Sequence, residues 1–150
     1  MQPLDPAVRT VWTIKSCLFW IILLFVAIFV DILWASLPFG VLSASCLIVG
    51  ALSTTFVPGL RYRFWRYDLR PEELYLERGI WNRVRTIVPL RRIQHLDVSQ
   101  DLVERNYELG RLIVHTAGSR SSDVVLPGLR YEVAEYLRDT VKQYITEDAL

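Results

Sequence analysis

His95 and Asp97 have the residue types and spacing for acid–base chemistry in this chain of 150 residues. They stand two residues apart in the run RRIQHLDV, so both lie on one face of a predicted strand, and Ser99 extends that face. A base and an orienting carboxylate in this arrangement would suit a hydrolase that uses His95. Because the sequence contains no recognisable motif for a nucleophile or an oxyanion hole, we favour a polar strand face with a hydrogen-bonded histidine. The hydrolase stays open as the alternative from the class of enzymes.

Metal ligation is the second chemistry that the histidines raise. His115 lies in another predicted strand, RLIVHTA, and could complete a two-histidine site with His95 and Asp97. The spacing of these three residues matches no recognised ligand motif, and both cysteines, Cys17 and Cys46, lie in apolar sequence. We therefore predict no metal site, no catalytic residue and no cofactor.

A basic set is the third candidate for a site. It consists of Arg83, Arg85, Arg91 and Arg92. Arginines on a solvent-facing strand can contact anionic lipid headgroups, and each contributes about 1 kcal/mol near such a surface. The alternative is a solvated face on which glutamates neutralise the arginines by cross-strand pairing, the candidates being Glu72, Glu73 and Glu77. The sequence favours the second interpretation and leaves the first open.

The charge of the whole chain limits its partners. The formal net charge is only +1, because a basic excess in residues 61–100 is offset by an acidic excess after it. A dedicated nucleic-acid binder normally carries a strongly basic domain. We therefore predict no nucleic-acid partner.

An apolar segment precedes these candidates. From Ser16 to Leu60 the only formal charge is Asp31. This segment is too long for one membrane-spanning helix of about 20 residues and fits two helices with a turn. Pro38 and Gly40 mark the turn, so we predict a transmembrane helical hairpin over residues 13–58, with helices near 13–34 and 39–58.

Two features of this hairpin concern its packing. Small residues recur in the second helix at four-residue spacing, as in Gly50 and Thr54, and such faces let membrane helices approach closely. Asp31 invites a role in an ion path, because ionisable groups inside membranes are often functional. Its position near the end of the first helix, beside Trp34, favours a structural role at the membrane interface instead.

Basic residues around the apolar segment predict its orientation. Arg9 and Lys15 precede the first helix and four arginines follow the second, whereas the connecting turn has no basic residue. Lysines and arginines mark cytoplasmic loops, so both termini should be cytoplasmic, with residues 1–12 as a short tail. Four residues are expected at the membrane interface: Arg61, Arg63, Trp65 and Arg66. A cleaved signal peptide and a buried soluble hairpin are weaker alternatives.

After Leu60 the pattern changes to short runs with period-two alternation. These runs predict six strands: RFWRYDL, ELYLERGI, WNRVRTIV, RRIQHLDV, RLIVHTA and DVVLP. Pro89 marks a strand end or an edge, and the polar segment before Gly110 could hold a helical turn. Near the end of the chain one helical face carries Val133, Leu137, Val141 and Tyr144 or Ile145. Strands followed by one amphipathic helix predict an α+β domain.

Three pieces of sequence, read together, carry a resemblance to a known family. They are the stretch from Tyr62 to Gln100, which contains PLRRIQ and HLDVSQ, and the strings LGRLIVHTAG and VVLPGL. Their combination resembles the YdbS-like bacterial pleckstrin-homology (PH) family, whose typical member has two membrane helices before the domain. The resemblance covers the chain from the first span to the last helix. Its most specific motif contains Arg92, Gln94, His95 and Asp97.

The resemblance implies the fold in more detail. A PH-like domain is a seven-stranded, strongly bent β-sandwich or partly open barrel capped by a C-terminal helix, here residues 61–150. Since the alternation predicts six strands, we expect the seventh within residues 98–110. The resemblance also implies a membrane-associated module rather than an enzyme, and it supplies no known ligand.

We therefore expect a non-enzymatic integral membrane protein of a bacterial cytoplasmic (inner) membrane. Two membrane helices would present a PH-like interaction module at the cytoplasmic surface. The expected partners are the lipid bilayer and either another membrane protein or a second copy of the chain. Binding of anionic lipid headgroups by the domain is the alternative.

Overall fold

The chain forms two compact units in the computed structural model, which describes residues 1–33, 40–117 and 123–147. One unit, Arg9–Leu60, is a pair of helices, and the other combines Met1–Val8 with Arg61–Leu150 in an α+β domain. This architecture confirms the predicted fold class of two apolar helices followed by antiparallel sheets and a C-terminal helix. The predicted turn at Pro38 and the neighbouring Trp34 lie outside the described residues.

The two N-terminal helices are α1, Ala7–Leu33, and α2, Val41–Phe64. Both are long and apolar enough to cross a membrane. α1 begins earlier and α2 ends later than the sequence suggests. Pro58 lies inside α2 without ending it. Membrane helices tolerate an internal proline when neighbouring groups satisfy the backbone carbonyl that loses its hydrogen bond. Arg61 and Arg63 occupy the last turn of α2, where positive charge is favourable to the helix dipole.

Close contact between α1 and α2 occurs at small residues, as predicted. A Cβ atom on Gly50 would lie 3.0 Å from Cδ2 of Trp20, so the indole ring packs directly on the glycine backbone. Further along the same pair, the hydroxyl oxygens of Ser16 and Thr54 are 3.2 Å apart. The two helices are therefore a packed hairpin rather than two separate spans.

The described residues of the α+β domain form two antiparallel sheets. The first has the order β1–β2–β3–β4, formed by Gln2–Pro3, Arg66–Leu69, Glu73–Arg78 and Val84–Pro89. The second has the order β5–β6–β7, formed by Ile93–Ser99, Leu109–Thr116 and Asp123–Arg130. The same part of the chain also contains a 3₁₀ turn at Leu90–Arg92, α3 at Leu102–Asn106 and α4 at Tyr131–Glu147.

The seventh strand does not lie where the sequence placed it. Residues 98–110 contain the end of β5, the short helix α3 and the start of β6, so the expectation of a strand there is wrong. The additional strand is β1, in which Gln2 pairs with Tyr67 and Pro3 with Arg66. Two residues show no alternation, and proline is tolerated at a sheet edge, so this strand left no signal in the sequence.

The segment Met1–Val8 is built into the α+β domain. The hydroxyl of Tyr67 donates to Oε1 of Gln2 at 3.2 Å. On the second sheet, the amide of Asp5 donates to the carbonyl oxygen of Gly128 at 2.9 Å. Leu4 and Val8 are 1% and 2% exposed. The structure thus divides the predicted tail, residues 1–12, between the domain and α1, and its cytoplasmic location stays a prediction.

The core of the domain draws on both sheets and on α4. Its buried side chains include Leu74, Leu76, Val88, Leu112, Val114 and Leu126 from the sheets. From α4 it takes Ala134, Leu137 and Val141. Of the predicted helix face, Leu137 and Val141 are buried and Ile145, the alternative to Tyr144, is half-buried, whereas Val133 and Tyr144 are exposed. The buried face begins at Ala134 rather than Val133, because residues 134, 137 and 141 follow the i, i+3, i+7 spacing of one helical face.

Candidate functional site

Pairing between β5 and β6 brings His95 and His115 together. The two residues are direct partners in the register, and their rings stack with centroids 4.1 Å apart and 22° between the ring planes. Nε2 of His115 lies 3.1 Å from Oδ2 of Asp97, and Nε2 of His95 lies 4.0 Å from the same oxygen. We call His95, Asp97 and His115 the histidine cluster. The sheet register therefore assembles three side chains that the sequence distributes over two strands.

A second carboxylate orients His115 from the other side of its ring. Asp123 is the register partner of His115 in β7, and its Oδ1 lies 2.8 Å from Nδ1 of the histidine. The hydrogen bond to Asp123, followed by that to Asp97, raises the pKa of His115 above its ordinary value. Both ring nitrogens therefore have fixed acceptors, which hold the ring in place.

The family-motif residues before the cluster have mainly backbone roles. Arg92 ends the 3₁₀ turn, and its carbonyl oxygen accepts a hydrogen bond from the amide of Ala117 at 2.9 Å. The register shifts between Ile93 and His95, which leaves Gln94 as an extra residue in β5. Such a bulge changes the direction of the side chains that follow it, and His95 is the next residue.

The turn between β3 and β4, residues 79–83, exposes a tryptophan. Trp81 is 99% exposed. Gly79 has a φ of +123°, and a Cβ there would lie 1.8 Å from the carbonyl oxygen of Asn82, so this tight turn requires glycine. β4 follows as the edge strand of its sheet among the described residues, with Val84 and Ile87 exposed. We call residues 79–83 the Trp81 turn.

The predicted basic set divides between two places. In β4 and the preceding turn, Nε of Arg83 lies 2.7 Å from Oε1 of Glu77, and Nε of Arg85 lies 3.9 Å from the same oxygen. Both arginine side chains remain more than half exposed. Arg91 and Arg92 are exposed on the 3₁₀ turn. The structure thus contains the pairing to Glu77 that the sequence offered as the alternative, and headgroup contact by the set stays a prediction.

The predicted membrane-interface set needs one correction. Arg61, Arg63 and Arg66 are exposed, as residues that contact headgroups must be. Trp65 is only 5% exposed, so its ring belongs to the buried part of the molecule and not to the interface set. The alternation that begins at Trp65 and continues at Tyr67 is that of a strand entering a core, and Tyr67 is 6% exposed.

Asp31 has a structural contact within the helical hairpin. Its Oδ2 accepts a hydrogen bond from the amide of Ser43 at 2.9 Å, and Oδ1 accepts a longer one, 3.4 Å, from the amide of Leu42. The first amides of a helix lack partners within the helix. Asp31 of α1 thus caps the start of α2, which agrees in kind with the structural role that the sequence favours.

Sequence reasoning missed Asp123 and Trp81 as candidate site residues. The sequence offered a signal for Asp123, since it begins the predicted strand DVVLP and His115 lies near the end of the preceding predicted strand, RLIVHTA. Trp81 is the first residue of the predicted strand WNRVRTIV, where an aromatic residue is usually assigned to the core, whereas β4 begins only at Val84.

Comparisons with known proteins agree with this architecture. The family described as bacterial PH domain matches residues 11–145. The chain is 30% identical to the transmembrane protein YdbS of Bacillus subtilis over 97% of its own length and 94% of that protein. It is 23% identical to the transmembrane protein YdbT of the same organism over 69% of its own length, which is 20% of YdbT. No solved structure matches the chain.

Proposed function

The chain belongs to the bacterial PH domain family, and we propose that it acts as a non-enzymatic membrane-anchored interaction module. In this proposal the helical hairpin holds the PH-like domain at the cytoplasmic surface of a bacterial inner membrane. There the domain binds another membrane protein or a second copy of the chain. The observation that carries the proposal is the Trp81 turn, which displays a fully exposed indole beside an edge strand.

The physical argument starts from the cost of exposing tryptophan to water. Trp81 is a large apolar side chain with 99% of its surface exposed, and tryptophan is enriched among the residues that dominate binding energy at protein interfaces. β4 adds exposed Val84 and Ile87 and, at its outer edge, backbone groups that another strand can pair with. Anchoring in the membrane raises the effective concentration of the domain toward membrane partners without any new contact.

Site-specific photo-crosslinking in living cells tests the interaction. A photoreactive phenylalanine analogue replaces Trp81 in one variant, and in the matched control it replaces Tyr136, which is 69% exposed on α4. We expect a light-dependent protein adduct at position 81 and little or none at position 136. Equal adducts at both positions, or no adduct at either with normal expression, would contradict the proposed interface.

The topology is tested separately by cysteine labelling. Cys17 and Cys46 are changed to serine, and a single cysteine is placed either at Ser36 in the predicted external turn or at Asn106 in α3. A membrane-impermeant maleimide should label only the first variant in intact spheroplasts and both after lysis. The reverse pattern would place the domain outside the cell and overturn the cytoplasmic assignment.

Anionic-lipid binding is the second candidate, favoured by the exposed Arg83 and Arg85 beside Trp81. A polarity-sensitive dye at Asn82→Cys, in the full chain with Cys17 and Cys46 replaced, reports on the turn in nanodiscs. Lipid binding predicts a blue shift with phosphatidylglycerol that is absent with phosphatidylcholine alone and falls with added salt. The full chain is needed because residues 61–150 alone lack β1 and the buried Leu4 and Val8.

A further inference from the structure

We propose that the histidine cluster is a binding site for a transition-metal dication of the Zn²⁺ type, with His95, Asp97 and His115 as ligands. Nε2 of each histidine and a carboxylate oxygen of Asp97 provide a two-histidine, one-carboxylate set. The ligand atoms of the three residues all lie within 4.8 Å of one another. This set is one that protein zinc sites use when one coordination position stays open.

Zinc binding requires the His95 ring to turn out of its stack on His115, because nearly parallel rings do not direct both Nε2 atoms at one ion. A tetrahedral zinc ion with bonds of about 2.0–2.1 Å holds its ligand atoms roughly 3.4 Å apart. Nε2 of His115 and Oδ2 of Asp97 are already 3.1 Å apart. Nε2 of His95 lies 4.0 Å from that oxygen, and the His95 side chain is 62% exposed, so rotation of this ring can shorten the distance without disturbing the core.

The arrangement around His115 is the one that metal-binding histidines share. Asp123 accepts the hydrogen bond from Nδ1 at 2.8 Å, which fixes the ring and directs Nε2 toward Asp97. A carboxylate behind the ligating imidazole orients the ring and increases its basicity as a ligand. Zinc would bind at Nε2 of His115, the ring nitrogen that faces Asp97.

The sheet, rather than a sequence motif, builds this site. His95 and His115 face each other in the β5–β6 register, and His115 and Asp123 face each other in the β6–β7 register. The spacing along the chain is therefore unlike that of a zinc finger or a helical metal site. His95 and Asp97 are exposed, which gives the ion a path of entry from solvent. The open coordination position can accept water or a ligand atom from a bound partner.

Zinc binding by the full chain in nanodiscs tests the inference, with a purification tag that contains no histidine. Competition with a zinc-sensitive dye measures the binding, and we expect one zinc ion per chain. His95→Gln and His115→Gln should each abolish this binding. Asp123→Asn, which removes the orienting group but no ligand, should weaken it roughly 10–100-fold. Asp139→Asn on α4 removes a comparably exposed carboxylate and should change nothing.

Two more measurements show whether the histidines themselves hold the zinc ion. Replacing both cysteines of the chain, Cys17 and Cys46, with serine should leave the ratio of zinc to protein unchanged, because neither is a proposed ligand. The chain has two histidines, so zinc should shift both imidazole signals in NMR spectra, and His95→Gln should leave one signal that no longer responds. Wild-type protein that binds no zinc, or binding that survives both histidine substitutions, would overturn the proposal. Mg²⁺ prefers oxygen ligands, so displacement of zinc by millimolar Mg²⁺ would also contradict ligation by the imidazoles.

Discussion

The backbone of Gly128 in β7 lies directly against the side chain of Val8. A Cβ on Gly128 would be 2.5 Å from Cγ2 and 2.8 Å from Cβ of Val8, and Gly128 has a φ of +68°. Glycine adopts this conformation readily, and its missing side chain leaves the space that Val8 fills. This contact joins the segment Met1–Val8 to the last strand of the PH-like domain.

Gly128→Ala should therefore destabilise the protein by about 2 kcal/mol or more, because it adds both backbone strain and a steric clash. The measurement is the thermal unfolding midpoint of the full chain in detergent. Val8→Ala should cost less stability in the Gly128→Ala background than in the wild type, because it removes the contact at 2.5 Å to Cγ2, while the contact at 2.8 Å to Cβ and the backbone strain remain. Strict additivity of the two substitutions would show that they do not share this contact.

The sequence allowed the main elements to be predicted because each has a strong local pattern. Forty-five residues with the single charge Asp31 indicate two membrane helices without any tertiary information. Leu74 and Leu76 alternate as a buried strand face must, and both are buried. The fold class follows from these patterns together with the family resemblance.

What the sequence did not reveal depends on register and on very short elements. β1 consists of Gln2 and Pro3, and two residues cannot display a period. The pairing of His95 with His115 depends on a one-residue bulge at Gln94, and a different register would place other side chains opposite each other. Ala134 is fully buried, but alanine is too common on exposed helix faces to mark a core position. These features are set by tertiary packing.

Close packing within the helical hairpin predicts a specific sensitivity at Gly50. Gly50→Val should destabilise the hairpin by roughly 1–3 kcal/mol, because the new side chain would overlap the ring of Trp20. Ala51→Val is the matched control, since Ala51 is the next residue of α2 and is exposed. Resistance to unfolding by sodium dodecyl sulphate in mixed micelles measures both variants. Equal losses would indicate a general effect of valine in α2 rather than contact with Trp20.

A buried carboxylate makes Arg111 important for stability. Nη2 of Arg111 lies 2.8 Å from Oε2 of Glu104 and 2.7 Å from Oδ2 of Asp101. The Glu104 side chain is 6% exposed, so Arg111→Met leaves a nearly buried charge without this cation. We expect a loss of roughly 2–3 kcal/mol, less than for a fully buried pair because Arg111 itself is 31% exposed. Thermal unfolding measures the loss.

Arg138→Met is the control for this prediction. Arg138 has a similar exposure, 34%, and its Nε lies 2.9 Å from Oδ1 of Asp139, but that carboxylate is 64% exposed. Exposed pairs contribute little, so the loss should stay below about 1 kcal/mol. If the two arginine variants lose the same stability, burial of Glu104 is not the cause.

The titration of His115 in metal-free protein tests the hydrogen bonds around its ring. Asp123 and Asp97 raise the pKa of His115 in the folded protein, so NMR should show it titrating above the ordinary value of about 6.5. A raised pKa adds stability that is complete below about pH 6.5 and is lost as the pH rises through the folded pKa. Asp123→Asn should lower the pKa of His115. The variant should be less stable than the wild type, and this difference in stability should be larger at pH 6 than at pH 9. Asp139→Asn serves as the control, and an unchanged titration of His115 in Asp123→Asn would rule out Asp123 as the main cause of the shift.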